Sequence, residues 1–272
     1  YQTIQVVSGQ AISTAISELP IPSHTNFERF NGWQNPLTLE YLTLQTVISA
    51  DVAYTANWTT LYSVTYAGFT HATEYFAQGE TVNISAPNVT GKNFTQWTCD
   101  QTVSFADSTA QNTSFTMINS NLTVTANYAD IYFTVTFTVD GSTYTSNSVI
   151  YGGTVNAPSA PTKQYYTFNE WKYNGTSVDF AAQIYENRTY VADFTQDTYT
   201  VTYMANSSVY NTQTVLGGNS IGSFPADPTP SDPTQDFLGW QLNGTNIDAT
   251  YIPESDITLV ANFGSQNLEV AQ

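Results

Sequence analysis

Aromatic and β-branched residues alternate with Ser and Thr at three similar places along this chain. In each place an aromatic residue, Val and a second aromatic residue occupy every other position, and the places are residues 62–66, 133–137 and 199–203. A two-residue period puts these apolar side chains on one face of an extended backbone. Each place is therefore predicted to be a half-buried β-strand, which we call the opening strand.

A second alternating pattern follows each opening strand and also occurs once before the first of them. It reads apolar residue, β-branched residue, Ala, Asn or Asp, and aromatic residue, at residues 54–58, 124–128, 190–194 and 259–263. The aromatic positions fall 70, 66 and 69 residues apart. Self-similarity at a nearly fixed period indicates tandem structural units rather than one large core. We call this strand the closing strand.

A Trp precedes each closing strand, and a Phe stands three positions before that Trp. A Gly and a Pro-bearing segment come earlier in each copy. One aromatic side chain can bury about 150–250 Å², so these residues are predicted to anchor small cores. Together with the aromatic ends of the closing strands, the predicted anchors are Trp33, Trp58, Trp97, Trp171, Trp240, Tyr128, Phe194 and Phe263.

The recurring patterns divide the chain into four modules and a tail. Module one is degenerate and lacks an opening strand. The predicted boundaries are residues 1–58 for module one, 59–128 for module two, 129–194 for module three, 195–264 for module four and 265–272 for the tail.

Turn residues fit this division. Asp140-Gly141, Asn174-Gly175 and Asn243-Gly244 predict tight hairpin turns, because Asn-Gly and Asp-Gly readily adopt positive φ. Helical periodicity is weak, and the best candidate for a helical turn is residues 12–19. The predicted fold class is therefore mainly β, with small modules in tandem and little helix.

The order of the patterns resembles the Listeria–Bacteroides repeat, also called the internalin B-repeat type. In residues 133–194 the opening strand is followed by Tyr-Gly-Gly, Pro-x-x-Pro-Thr, Tyr-x-Phe-x-x-Trp and Tyr-x-Ala-x-Phe, and residues 199–263 match next best. Residues 62–128, with Phe-Thr-Met before the closing strand, resemble a sister bacterial surface repeat. The family pattern has Gly at the positions of Tyr165 and Glu170, which bears on turn geometry rather than on the fold.

This resemblance implies β-grasp-like modules in proteins that are secreted or exposed at a surface, often as stalks beneath a binding domain. It carries no catalytic residues to transfer to this chain.

The negative net charge of the chain restricts the kinds of partner that it could bind. The chain has 5 Lys and Arg against 22 Asp and Glu, a net charge of −17. Binding to nucleic acid needs clustered cations that displace counterions from phosphates, and an anionic membrane surface attracts the same kind of cluster. No apolar run approaches the roughly 20 residues that span a bilayer. We expect no nucleic-acid partner and no membrane insertion within this chain.

Catalytic chemistry has few candidate residues. His24 and His71 fall in different modules, and Cys99 is the only cysteine. One Cys and two His give no zinc-binding spacing, and no nucleophile-elbow or phosphate-cradling glycine motif is present. We predict that the protein is not an enzyme and that it holds no cofactor and no metal.

Surface tyrosines are the candidates for binding, because each offers a flat apolar ring and a hydroxyl. Those outside the predicted strand cores are Tyr165, Tyr166, Tyr173, Tyr185 and Tyr251. Several Asn residues also match the Asn-x-Ser/Thr pattern of N-glycosylation acceptors. The acceptors considered are Asn83, Asn88, Asn93, Asn174, Asn187, Asn206 and Asn243.

Together these features predict a non-catalytic structural protein, extracellular or on the surface of a cell or virion, that acts as a spacer, fibre or adhesive display. The expected partners are other surface or structural proteins, copies of itself, and glycans. Two alternatives stay open at this point: a virion decoration or tail-fibre protein, and a carbohydrate- or protein-binding module.

Overall fold

Short β-strands provide almost all regular structure in the computed structural model, which describes residues 3–23 and 27–265. The described residues divide into two units, one up to Ile131 and one from Tyr132. The predicted mainly β class is confirmed. The one helical turn among the described residues, Ile12–Thr14, lies inside the stretch where the sequence favoured one. His24 and the predicted tail beyond Ser265 lie outside the described residues.

The first unit contains nine described strands and the second contains ten. The strands of the first unit are β1 Gln10–Ala11, β2 Glu28–Gln34, β3 Val47–Ile48, β4 Thr55–Ala67, β5 Glu74–Ala77, β6 Thr81–Ser85, β7 Lys92–Cys99, β8 Asn112–Thr116 and β9 Leu122–Asp130. Those of the second are β10 Tyr132–Val139, β11 Ser142–Ile150, β12 Tyr166–Tyr173, β13 Thr176–Ser177, β14 Arg188–Gln196, β15 Thr198–Ala205, β16 Ser208–Leu216, β17 Gln235–Leu242, β18 Thr245–Asn246 and β19 Ile257–Ser265.

Modules three and four have the same sheet, strand for strand. Its order is β11-β10-β14-β12-β13 in module three and β16-β15-β19-β17-β18 in module four. The opening strand is antiparallel to the strand that follows it and parallel to the closing strand. In chain order this is 2-1-5-3-4, the strand order of a β-grasp sheet. In module three, residues 151–165 connect β11 at one edge of the sheet to β12 on the far side of the parallel pair, and they do so without a helix.

The three predicted Asn/Asp-Gly turns are confirmed, since each joins two antiparallel strands through two residues of positive φ. At Asp140 and Gly141 the φ angles are 48° and 80°. The equivalent turn of module four uses Asn206 and Ser207 at 50° and 64°, so it adopts this conformation without Gly. Paired positive φ angles match the right-handed twist of the flanking strands.

Module two keeps the centre of this sheet but changes one side of it. The order β5-β4-β9-β7 repeats the 2-1-5-3 arrangement, with β4 and β9 parallel. The strand β8, which follows β7, does not extend that sheet. It pairs instead with β6 in a separate two-stranded sheet, from Thr81 opposite Thr116 to Ser85 opposite Asn112.

Strand β4 serves two modules. Its first part, Thr55 to Thr60, pairs with β2 as the closing strand of module one, and its second part pairs with β5 and β9 as the opening strand of module two. The predicted boundary at residue 58 therefore falls inside a continuous strand. Within the described residues, no strand pairs with the other edge of Thr55 to Thr60.

One irregular pairing recurs in all four modules and explains the spacing of Phe and Trp. In each module the Phe faces the aromatic end of the closing strand, one residue bulges out, and the Trp faces the Ala of the closing strand. A bulge adds one residue to one strand and bends it locally. The four Trp–Ala pairs are Trp33 with Ala56, Trp97 with Ala126, Trp171 with Ala192, and Trp240 with Ala261.

Modules two, three and four each surround a core of their own. The core of module three contains Val135, Phe137, Trp171, Ile184 and Tyr190, all nearly inaccessible to solvent. Equivalent clusters surround Trp97 in module two and Trp240 in module four. In module one, Ile12 is the one described hydrophobic residue that is fully buried.

Candidate functional site

The predicted anchors lie at equivalent places but differ in burial. Trp97, Trp171 and Trp240 are 2%, 4% and 1% exposed, whereas Trp33 and Trp58 are half-buried. Each aromatic residue that ends a closing strand contacts the Phe of the bulged strand, with ring centroids between 5.2 and 6.1 Å apart. Trp97, Trp171 and Trp240 therefore lie in module interiors, and the remaining anchors are less deeply buried.

Two of the five candidate tyrosines pack at the end of module three. The ring of Tyr165 lies against Gly218 of module four, and a Cβ on the adjacent Gly217 would lie 2.8 Å from the Cβ of Tyr165. Its carbonyl accepts a hydrogen bond from Asp197 at 2.8 Å. The ring of Tyr166 lies under the Lys163 ammonium, 4.4 Å from its centroid. Tyr165 thus contacts the neighbouring module.

The backbone at Tyr165 explains why related repeats have Gly there. Its φ is +65°, a left-handed conformation that is uncommon for residues other than Gly. Glu170 replaces the other family Gly, and it keeps the bulge without a positive φ, whereas Gly32 and Gly239 occupy that position at 139° and 130°. Turn geometry is thus retained at the first site and changed at the second.

The other three candidate tyrosines contact their own modules. Tyr173 packs edge-on against Tyr190 at 5.5 Å and lies beneath the Arg188 guanidinium at 5.2 Å. Tyr251 packs against the core of module four. Tyr185 is the exposed one of the five, at 48%, and it rests against Tyr151. The five tyrosines have different neighbours, so these contacts do not define one shared binding surface.

All seven candidate glycosylation acceptors are exposed. Asn174, Asn206 and Asn243 begin tight turns with φ near 50°. Asn83 and Asn93 lie on strands, with Asn88 between them. Accessibility is needed for modification but does not establish it.

Asn187 also has a structural role that the sequence patterns missed. Its Oδ1 accepts a hydrogen bond from the Thr134 amide at the start of the opening strand, at 2.8 Å. Asn121 does the same for Ser63 in module two, and Asp256 does the same for Thr200 in module four. Each of these residues directly precedes a closing strand, which is the signal that could have revealed the contact.

Module two contains a groove of about 680 Å³. It lies between the main sheet and the separate β6–β8 sheet. Tyr66 and Glu74 from the main sheet line one side, and Asn83 and Asn112 from β6 and β8 line the other. The groove thus follows from the altered strand pairing of module two.

Aromatic rings form part of the groove wall. Tyr66 and His71 meet edge to face, with centroids 4.4 Å apart, and Phe69 packs against Trp97 at 6.1 Å. Gly68 permits this arrangement, because its φ is +88° and a Cβ there would lie 2.2 Å from the Ala126 carbonyl oxygen. A side chain at position 68 would therefore displace this turn.

The groove has a polar lining beside these rings. The Tyr66 hydroxyl donates a hydrogen bond to Glu74 Oε2, which lies 3.6 Å from His71 Nε2. Burial raises the pKa of the Tyr66 hydroxyl, and the hydrogen bond to Glu74 raises it further. On the other side, Asn112 Oδ1 accepts a hydrogen bond from the Ser85 hydroxyl at 2.6 Å. Among the described residues that line the groove, none is Lys or Arg.

No group of three His, Cys, Asp or Glu side chains in residues 3–23 and 27–265 is arranged to hold a metal ion. No helix in this same part of the chain is long and apolar enough to cross a membrane.

The two kinds of sheet, five-stranded in modules three and four and divided in module two, correspond to matches with two different protein families. Residues 133–193 and 199–262 match the Listeria-Bacteroides repeat domain, and residues 59–132 match the divergent InlB B-repeat domain. The chain thus contains two Listeria-Bacteroides repeat domains and one divergent InlB B-repeat domain. Its two Listeria-Bacteroides B-repeats are the modules with the five-stranded sheet, and its divergent B-repeat is the module with the groove. Residues 1–58 lie outside both matches.

A curated relative is similar in sequence to about two thirds of this chain. Internalin H from Listeria monocytogenes serovar 1/2a (strain ATCC BAA-679 / EGD-e) is 33% identical over 194 residues, which cover 66% of this chain. The B-repeat chain spans 33% of the length of that relative. The similarity therefore concerns a part of internalin H and not the whole protein.

Proposed function

We propose that this chain is a non-catalytic, surface-exposed spacer that holds binding surfaces away from the structure that bears it. The observation that carries this proposal is how few residues connect one module to the next. One residue, Asp197, separates β14 of module three from β15 of module four. Module two follows module one with no connecting residue, within β4. So short a connection suits a spacer better than a set of independently moving domains.

The contacts between modules three and four support the same function. The Asp197 amide donates to the Tyr165 carbonyl, and the Gly217 amide donates to the Asp197 carbonyl, both at 2.8 Å. Gln196 Nε2 donates to the Gly217 carbonyl at 2.8 Å. The connecting residue is thus hydrogen-bonded on both sides, which restricts bending between these two modules.

Family membership and composition support a location outside the cell. Related internalin-type repeats suggest a surface protein, and the relative found here is named as an internalin. A net charge of −17 on few charged residues leaves an exterior of Thr, Ser, Asn and Gln with acidic character. Net charge far from zero favours solubility and resists association. An adhesive role is the second candidate, because module two has a groove. No observation favours the virion alternative.

Accessibility on whole cells tests the proposed location. Antibodies raised against modules three and four would be applied to intact and to permeabilised cells of the producing organism, with a cytoplasmic protein as control. We expect full labelling of intact cells and loss of the signal after external protease. Labelling that requires permeabilisation would contradict the proposal.

A purified chain tests the spacer role. Dyes attached to cysteines at exposed positions 147 and 211 would report the distance between modules three and four, in a Cys99→Ser background. We expect one narrow distance distribution, as restricted bending requires. A broad distribution like that of a flexible linker would contradict the role.

A further inference from the structure

The groove of module two is lined by aromatic rings and by asparagine side chains. The rings of Tyr66, Phe69 and His71 contact one another and form the aromatic part of the lining. Asn83 and Asn112 belong to the part of the lining that β6 and β8 contribute. Binding sites for small molecules typically combine apolar and aromatic lining with a few convergent polar groups.

Several polar atoms in this groove have remaining capacity to bind a ligand. Asn83 makes no side-chain hydrogen bond to a described residue, and the Asn112 amide nitrogen donates to none, since its one contact is through Oδ1. Glu74 uses Oε2 for Tyr66, which leaves Oε1 as an acceptor. Amide donors and a carboxylate acceptor in the same groove match a ligand with several hydroxyl groups.

Charge decides between ligand classes. No described Lys or Arg lines the groove, and Glu74 and Asp107 are both acidic. Phosphates, uronic acids and other anions would therefore meet no compensating cation. A purely apolar ligand would leave the amide groups without partners on one side, which is costly. A neutral sugar has an apolar C–H face for the rings and hydroxyls for the amides.

We propose that the groove of module two binds a neutral oligosaccharide. The sugar rings lie along the wall of Tyr66, Phe69 and His71, and the hydroxyl groups bond with Asn83, Asn112 and Glu74. This deepens the adhesive role and rests on the proposed function only for access to external glycans. Binding by the purified chain is independent of location, so the two can fail separately.

The binding experiment uses residues 1–272 produced in a bacterial host that does not N-glycosylate, because Asn83 and Asn112 both match acceptor patterns. Amide chemical shifts would be followed while neutral hexasaccharides of β-1,4-glucose, β-1,4-N-acetylglucosamine, β-1,3-glucose and α-1,4-glucose are added. Hexagalacturonate serves as the anionic comparison. We expect at least one neutral series to bind with a dissociation constant of about 1 mM or tighter, with shifts confined to module two, and no binding of the anion.

Two groove variants and one matched control locate the site. His71→Ala and Asn83→Ala each remove an exposed groove side chain, and Asn147→Ala removes an exposed strand Asn of module three. We expect each groove variant to weaken binding by about 3- to 10-fold, and the control to leave it unchanged. Amide spectra would establish that each variant is folded.

The proposal is overturned by any of three results. The folded chain binds none of the four neutral series; it binds the anion as well as the neutral sugars; or both groove variants bind as tightly as Asn147→Ala. Labelling of intact cells together with any of these would leave the spacer function in place without a sugar-binding groove.

Discussion

Modules one and three contain the same bulged pair of strands, yet one has a closed core and the other does not. In both, the Trp faces an Ala of the closing strand across the bulge. Trp171 is 4% exposed, because the opening strand β10 lies beside β14 and contributes Val135 and Phe137 to the core. Trp33 is half-buried, and no described strand lies beside the equivalent edge of β4.

The exposed apolar side chains show the same difference. Eight of the twenty large hydrophobic residues that are exposed in the described chain lie between Val7 and Val52, led by Leu37 at 91%. The bulged pair is thus sufficient to place a Trp on one face of a sheet. Closing the core requires the opening strand as well. The following four predictions test the contacts that close a module and the contact that joins module three to module four.

The largest expected effect comes from removing the anchor of a closed core. Trp171→Ala is expected to destabilise module three by about 3–5 kcal/mol, as large-to-small core changes do. Trp33→Ala is expected to cost module one less than half as much, because its side chain already contacts solvent. Native-state hydrogen exchange of the two closing strands measures each module separately. Equal losses would show that module one has a closed core in solution.

The next effect concerns the contact that module three makes with module four. A side chain at position 217 would collide with Tyr165, so Gly217→Val is expected to cost about 1–3 kcal/mol. In a Tyr165→Gly background the cost is expected to fall, since the nearest clashing atom is absent. A double-mutant cycle on thermal unfolding gives the coupling. Additive effects would mean that Tyr165 does not contact Gly217.

A smaller effect is expected at the contact that holds the opening strand to the closing strand. Asn187→Ala removes the acceptor of the Thr134 amide and is expected to cost about 0.5–1 kcal/mol. Asn187→Asp is expected to be tolerated, because Asp256 accepts the equivalent amide in module four. Exchange of the Thr134 amide reports the contact directly. Unchanged exchange in Asn187→Ala would contradict it.

The smallest effect is expected at the residue that bulges out between the Phe and the Trp, which is Asn in both module one and module three. Asn169 donates to Asp193 and Thr195, and Asn31 donates to Asn57 and Thr59. The hydrogen bond from Asn169 lowers the pKa of Asp193, and Lys172 lowers it further.

When folding lowers the pKa of a carboxyl group, that group stabilises the fold at pH values above its pKa in the unfolded chain. This stabilisation is lost as the pH falls through the pKa in the folded chain. Asn169→Ala is therefore expected to lower stability at pH 7 and to have less effect well below the ordinary aspartate pKa of about 3.9. Asn31→Ala removes a hydrogen bond to the neutral Asn57, so the stability that it costs is expected to be the same at both pH values. Hydrogen exchange at pH 7 and at a pH well below the ordinary aspartate pKa measures the stability that each variant loses. A pH-independent effect in module three would exclude a role for the Asp193 charge.

Much of the sheet could be predicted because the relevant signals are local. Alternation located β10, β15 and the closing strands, and Asn/Asp-Gly pairs located three turns. The signals that failed depend on tertiary contacts. Nothing in the residues of β8 distinguishes pairing with β6 from extension of the main sheet, so the groove was not predicted. Tyr165 was a candidate for ligand binding, and its contact with Gly217 depends on the approach of another module.

The parallel pairing of first and last strands has a mechanical consequence. In module three, β10 enters and β14 leaves side by side, from Val135 opposite Arg188 to Thr138 opposite Val191. Tension applied through the chain would pull these two strands in opposite directions along their length. The hydrogen bonds between them would then be loaded together in shear instead of opening one after another. Each closed module would resist stretching until that set of bonds breaks at once.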